Sequence, residues 1–292
     1  MLKTYGERVQ KIAVDGGFTC PNRDGSRGVG GCTFCNNDSY GTKNKMPEVS
    51  QQILAGKTFY QNKFPGLNKF IVYFQSYSNT YKPLAELEKM YLDALKIEGV
   101  IGLAIGTRPD CVDKEKISFL EQLAKSYDIT IEYGIESMID STLVKINRGH
   151  TVREFEQAVS MTYGRGLKMC THLILGFPWE TEADLDFTAK SIASYPLDFI
   201  KIHQLQVVTD TIMGNEYKKN PFPVVTKEEY FHMLAKIVTH LSPEMVVQRM
   251  FSQYQKEYLL STPWTETLSQ LNSQFINYLE KRELYQGMHY KN

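Results

Sequence analysis

The chain has 292 residues, 42% hydrophobic and 12% aromatic, enough for one large domain with a substantial core. Formal net charge is zero and pI is near 7.0, so bulk electrostatics make no case for nucleic-acid binding, although a local basic patch is compatible with it. With no apolar leader and no run of about 18 apolar residues, the chain is expected to be soluble, cytoplasmic and free of the membrane, and five cysteines, an odd number, fit a reducing compartment.

A short apolar run at 11–15, closed by Gly16 and Gly17, predicts the first strand. A helix is expected over 51–63, after Pro47. Residues 69–75, rich in β-branched and aromatic side chains, read as a buried strand. Leu84, Leu87, Met90, Tyr91 and Leu95 have helical spacing and predict a helix over 84–97. A strand at 100–105, a helix at 114–125 and a strand at 129–135 follow. Thr151 with Glu154 has the form of a capping box opening a helix to about residue 163. A strand at 168–175 ends at Gly176 and Pro178; Thr181 and Asp184 cap a helix to 195; a strand spans 198–208. Six strands thus precede residue 209, and their alternation with helices predicts an α/β fold built on a parallel sheet. Six repeats are too few to close an eight-stranded barrel. Beyond 208 come an irregular stretch, a helix over 226–240, a strand-like segment at 246–251 and a helix over 265–281. No linker interrupts the chain, so 1–208 is expected to form the core, with 209–292 an extension packed on it.

Cys20, Cys32 and Cys35 stand in one glycine-rich loop, spaced C-x11-C-x2-C, directly after the first strand. Thiolates select zinc, copper(I) or iron–sulfur clusters. A closed zinc site wants four protein ligands, and the loop offers no fourth: the next cysteine is Cys111 and the nearest histidine His150. A disulfide with one thiol left over, part of a zinc ribbon, or chance are the competing readings. Three thiolates on a four-iron cluster would leave one iron open to a cosubstrate. Gly25, Gly28, Gly30 and Gly31 suit close approach to an inorganic core, and Phe34 is placed to shield it.

The C-x-x-C ending, the aromatic residue before the last cysteine and the strands that follow resemble the radical S-adenosylmethionine (SAM) superfamily. The x11 gap, longer than that superfamily's commonest x3, resembles its YtqA/YhcC subgroup, a relative of the Elp3-type branch. The resemblance runs from Asp15-Gly-Gly-Phe-Thr-Cys20 to Tyr285-Gln-Gly287. It implies a partial (β/α)6 TIM-type barrel, open on one side, with Cys20, Cys32 and Cys35 holding a [4Fe–4S] cluster that binds SAM. In such folds chemistry collects at the carboxyl ends of the strands.

The residues at those ends can be assigned on the same basis. Gln75 and Ser76 offer acceptors for the amino group of SAM, or form an ordinary loop. Thr107 and Arg108, in Thr-Arg-Pro-Asp110, are candidates for the ribose and carboxylate; alternatively Arg108 pairs with Asp110 or Glu132. Glu132, an acid on a barrel strand, requires a partner, either Arg108 or the cosubstrate. Glu136 stands where the family usually has Gln. Arg148 and His150 match the family pattern; a lone histidine there also reads as structural. Gly176 would sit against the adenine, or simply make a turn. Alternation puts Lys201, His203 and Leu205 on one face, with His203 a substrate contact or proton donor; Gln206 replaces the family's second histidine. Arg249 is a candidate anion contact or a surface salt bridge, and Cys111 and Cys170 read as inert buried thiols.

The resemblance implies reductive cleavage of SAM to a 5′-deoxyadenosyl radical. Its YtqA-like (MnmL-type) branch implies tRNA as partner, with conversion of wobble 5-carboxymethylaminomethyl-2-thiouridine to the 5-aminomethyl form. A flavodoxin or ferredoxin would supply electrons, and a SAM-dependent methyltransferase would act on the product. Tyr77, Tyr81 and Tyr254 are candidates for stacking on an extruded base. A radical SAM enzyme on a non-tRNA substrate and a non-catalytic iron–sulfur protein are the alternatives.

Overall fold

Runs of Val, Ile, Leu and Phe that continue through a strand, rather than alternating with polar residues, belong to parallel strands covered on both faces. The computed structural model, which describes residues 5–36, 48–252, 255–262 and 264–291, has a seven-stranded parallel sheet whose second and third strands have this character. The seven strands are β1 (Val9–Val14), β2 (Lys69–Phe74), β3 (Val100–Thr107), β4 (Asp128–Glu136), β5 (Lys168–Leu175), β6 (Phe199–Gln204) and β7 (Val246–Arg249). Each lies parallel to the one before it, so the spatial order is the chain order.

The sheet is curled into a half-barrel. Lys11 on β1 places Nζ 3.3 Å from Oε1 of Gln248 on β7, although the two edge strands share no ladder. The α-helices among the described residues are α1 (Val49–Lys63), α2 (Leu84–Leu95), α3 (Lys114–Ala124), α4 (Asp140–Lys145), α5 (Val152–Thr162), α6 (Glu182–Ala193), α7 (Ile212–Lys219), α8 (Lys227–His240) and α9 (Leu268–Glu280). The caps foreseen at Thr151 and Thr181 are both reciprocal, as are those of Thr226 with Glu229 and Thr267 with Gln270.

Strand alternation sorts the residues into two layers. On β2, Phe70, Val72 and Phe74 join the main core with Tyr91 and Leu87 of α2, while Ile71 and Tyr73 turn inward. On β4, Ile129, Ile131, Tyr133 and Ile135 pack outward, leaving Glu132 inside. A small apolar plug of Val9, Ile71, Tyr73 and Ala104 fills part of the interior. Fully burying each large side chain contributes roughly 1.5–3 kcal/mol, so the outer layer is the main source of stability.

Three expectations need amending. The strand at 198–208 ends at Gln204; beyond it the chain leaves the ladder, and Val208 bridges Leu259 antiparallel. The strand-like segment of the extension is the seventh strand of the sheet itself, with Lys201 in register with Arg249. The stretch after 208 also contains α7, capped by Thr211 and too short to show a helical period. Among the described residues no helix is long and apolar enough to cross a membrane.

Candidate functional site

The cysteine loop follows β1 at the carboxyl edge of the sheet and is fixed by its own backbone. Arg23 N donates to Cys20 O at 2.8 Å, Gly31 N to Asn22 O at 2.8 Å, and Cys35 N to Cys32 O at 3.0 Å. Gly31 has φ 79°, and a Cβ there would lie 2.9 Å from Arg23 Nε. Asn147 Nδ2 donates to Gly31 O at 2.8 Å and Val29 O at 3.2 Å, while Asn22 Nδ2 donates back to Asn147 O. Thr33 N to Ile146 O (2.9 Å) and Met213 N to Thr33 O (2.8 Å) tie the loop to the turn after α4 and to α7.

All five cysteines are free, so the disulfide alternative is not realised. Cys20, Cys32 and Cys35 line one cavity of about 420 Å³, together with Phe34. N–H groups converge on two of the sulfurs: Arg148 Nη1 is 3.4 Å from Cys32 Sγ, Asn22 Nδ2 is 3.8 Å from Cys32 Sγ, and Arg108 Nη1 is 3.9 Å from Cys20 Sγ. Among the described residues only Glu132, Cys170 and His172 gather three metal-capable groups within 4.8 Å. The three loop sulfurs are therefore not all within 4.8 Å of one another, as ligands of one tetrahedral zinc, about 3.8 Å apart, would be. Three spread thiols, cationic N–H donors and an adjoining cavity fit a [4Fe–4S] core.

Arg108 takes its internal partner. Its Nε and Nη2 each lie 2.8 Å from Asp110, and Nη1 donates to Arg148 O at 2.6 Å. Arg148 is held by Gly134 O (2.5 Å), Glu136 Oε1 (3.3 Å) and His150 Nε2 (3.0 Å). A Cβ on Gly134 would meet Glu136 and Arg148 at 2.6 and 2.7 Å, so only glycine leaves room for this guanidinium. Burial, then the charges of Arg148 and Arg108, push the His150 pKa down to about 3, so its neutral ring accepts from Arg148 in a structural role.

Below the loop, the cavity reaches Tyr73, Glu132, His172, His203 and Arg249. Here the expectation for Glu132 is corrected. Its side chain is fully buried and pairs not with Arg108 but with Lys201, Lys11 (3.0 Å) and His172 Nε2 (3.0 Å). Burial alone would raise its carboxyl; the His172 bond and the two ammonium charges outweigh that and hold it well below the usual range. Burial lowers Lys201 despite Glu132. His203 falls well below the ordinary imidazole value through burial and then the neighbouring His172, Arg249 and Lys201. Its ring lies 5.7 Å from that of His172. The two ammonium groups on Glu132 occupy the place a cation would take beside Cys170 and His172, so this triad does not read as a metal centre.

Of the residues expected at the site, Cys20, Cys32, Cys35, Gln75, Thr107, Arg108, Glu132, Glu136, Arg148, His203 and Arg249 line the cavity. Ser76 and Gly176 do not; Gly176, with φ 97°, faces Val225, where a Cβ would come within 2.9 Å. Tyr77 lines the cavity, Tyr81 donates to Ser26 of the cysteine loop at 2.7 Å, and Tyr254 lies outside the described residues. Burial, followed by Asp110, pushes the Cys111 thiol up to about 12, and burial raises Cys170 further, as expected of inert thiols. Lys11, Tyr73 and Asn22 were missed; a lysine inside the run 11–15 was the available signal for the first.

Known proteins are similar to this chain in sequence and in fold. The radical SAM superfamily matches residues 20–192, and the radical SAM C-terminal domain matches 197–280. YhcC of Escherichia coli K12 is 33% identical over 267 residues, covering 91% of this chain and 85% of its own. YtqA of Bacillus subtilis is 31% identical, covering 97% and 88%. A tRNA uridine(34) acetyltransferase of Methanocaldococcus infernus is 28% identical over 139 residues, 46% of this chain and 25% of its own. The solved structure of archaeal Elp3 from the same organism superposes with a TM-score of 0.71 at 18% identity, covering 95% of this chain and 64% of that one. With its three-cysteine loop set on the carboxyl edge of a parallel half-barrel, the chain belongs to the radical SAM superfamily, whose cofactors are a [4Fe–4S] cluster and S-adenosylmethionine.

Proposed function

We propose that the protein is a cytoplasmic enzyme of tRNA modification that converts wobble 5-carboxymethylaminomethyl-2-thiouridine to 5-aminomethyl-2-thiouridine. The observation that carries this reading is one cavity walled above by the cysteine loop and below by Glu132, His172, His203 and Arg249. The relatives named for uridine 34 of tRNA, and the Elp3-like fold, support RNA as the substrate class.

In this reading Cys20, Cys32 and Cys35 hold the cluster, with Arg148, Arg108 and Asn22 stabilising their thiolates through N–H groups. Cluster and SAM together supply a 5′-deoxyadenosyl radical that can take hydrogen from an unactivated carbon. Gln75, Thr107 and Glu136, which line the cavity, would contact SAM, whereas Ser76 and Gly176 lie outside it. Phe34 and the loop backbone keep water from the sulfurs. Tyr77 offers a ring on which an extruded base can stack. His203, neutral and facing the cavity, is placed to exchange a proton with substrate through a ring nitrogen. Residues 1–208 act as the core, and 209–292 contribute Arg249. A flavodoxin or ferredoxin supplies electrons, and a SAM-dependent methyltransferase takes the product.

Anaerobic reconstitution with iron, sulfide, SAM and dithionite is expected to yield 5′-deoxyadenosine. No nucleoside product would end the enzyme reading. Nucleoside analysis of tRNA from a deletion strain tests the substrate. An unchanged wobble-uridine profile alongside intact SAM cleavage would direct the search to another substrate, which the zero net charge would also suit.

A further inference from the structure

The floor of the cavity carries more positive charge than its own residues neutralise. Behind the floor Lys11 and Lys201 share a single carboxylate, Glu132, and Arg249 lines the same cavity beside them. That carboxylate is saturated: Oε1 receives Lys11, and Oε2 receives Lys201 and His172. The next acids are committed elsewhere, Glu136 to Arg148 at 3.3 Å and Asp110 to Arg108 at 2.8 Å. The remaining groups facing the floor are neutral: Tyr73, Cys170, His172 and His203.

The cations differ in freedom. Lys201 is fixed by Glu132 and by Tyr73 Oη at 3.3 Å, and Lys11 by Glu132 and Gln248. Arg249 makes no ion pair among the described residues, is exposed, and lines the cavity at the end of β7, in register with Lys201. The His203 ring beside it makes no hydrogen bond among the described residues. Lys201 and Glu132 are buried and the carboxylate is already shared with Lys11, so an anion at the exposed Arg249 would meet the charge left over. A planar guanidinium fork with its N–H groups free matches a carboxylate in two parallel bonds.

We propose that Arg249, with His203 beside it and the Lys11–Lys201 pair behind, forms a subsite for a carboxylate carried by the substrate, facing the cysteine loop across the cavity. The assignment of that carboxylate to the substrate rests on the enzyme reading above; the anion preference rests on the charge balance alone. Bound there, a carboxylate would anchor the end of a side chain and present its carbon atoms toward the loop, which selects substrates by an acid group.

The test uses the reconstituted holoenzyme with SAM bound and two fragments that differ only in charge, N-acetylglycine and N-acetylglycinamide, followed by saturation-transfer NMR. The acid is expected to bind at least tenfold more tightly than the amide, and Arg249→Gln to abolish the difference. Equal binding of acid and amide to the wild type overturns the proposal without recourse to any variant. So does an acid preference that survives in Arg249→Gln, or one that vanishes on adding SAM, since the site would then serve the carboxylate of SAM. An anticodon stem-loop bearing carboxymethylaminomethyluridine should displace the acid, and its aminomethyl counterpart should not. If the acid binds through Arg249 and neither RNA displaces it, the subsite stands and the tRNA reading falls.

Discussion

Replacing Glu132 by Gln removes the only acid, among the described residues, that balances the two lysines inside the half-barrel. The carboxylate accepts from Lys11 and His172 at 3.0 Å each and from Lys201, with no solvent exposure of its side chain. Removing one partner of a buried ion pair costs about 3–5 kcal/mol, because the remaining charge is left without compensation. Here the remainder is a Lys201 that burial already disfavours as a cation. Against a typical total stability of roughly 5–15 kcal/mol this is a large fraction. At ~2–4 °C per kcal/mol for large domains it lowers Tm by on the order of 6–20 °C. The measurement is urea denaturation of wild type, Glu132→Gln and Glu132→Gln/Lys201→Met at pH 7. The double variant should recover at least about 1.5 kcal/mol of the loss, since it removes the orphaned charge. The pH dependence has a defined sign. Because the Glu132 carboxyl sits well below 4.5 in the fold, its contribution is complete above that pH and is lost as pH falls below it. A single-variant loss under about 1 kcal/mol, or a double variant no better than the single, would refute the view that this cluster is balanced by charge.

Cys32→Ala should lose bound iron and 5′-deoxyadenosine formation together, while Cys111→Ala, which removes a buried thiol outside the loop, should keep both; iron content and product assay decide. Arg148→Gln removes a guanidinium 3.4 Å from Cys32 Sγ and should shift the cluster to a lower midpoint potential, read by a redox titration followed by EPR. An unchanged potential with intact iron content would reduce Arg148 to a packing role. His150, His172 and His203 are all held below the ordinary imidazole value, so the unfolded chain binds up to three more protons as pH falls through about 6.5. Stability should then fall toward acid with a slope approaching about 4 kcal/mol per pH unit, and His203→Gln should flatten it by about a third.

The six strands from β1 to β6 were legible because each is rich in β-branched and other apolar residues and alternates with a helix, and helices α5 and α6 because Thr151 and Thr181 carry reciprocal caps. The cysteine loop was legible from spacing, and Gln75, Thr107, Arg108, Glu136 and Arg148 from the family resemblance: Thr107 and Glu136 close β3 and β4, Gln75 and Arg108 stand just past β2 and β3, and Arg148 is in the turn after α4. The partners of Glu132 were not. Lys11 and Lys201 are 121 and 69 residues away, and only the curl of the sheet brings β1, β4 and β6 together across the interior. Strand β7 read ambiguously because it is four residues long and exposed at both ends. Its membership in the sheet is set by pairing with β6, which nothing local encodes.

Tyr77 (φ 66°) and Glu136 (φ 71°) are non-glycine residues in the left-handed region, and both line the cavity. Such a backbone costs about 1–2 kcal/mol relative to glycine. Glycine at either position would relax the chain and remove the ring or the carboxylate that the cavity presents. The rim of this cavity is therefore where a search for a hardier protein would find its easiest gains, and where those gains would most directly blunt the enzyme.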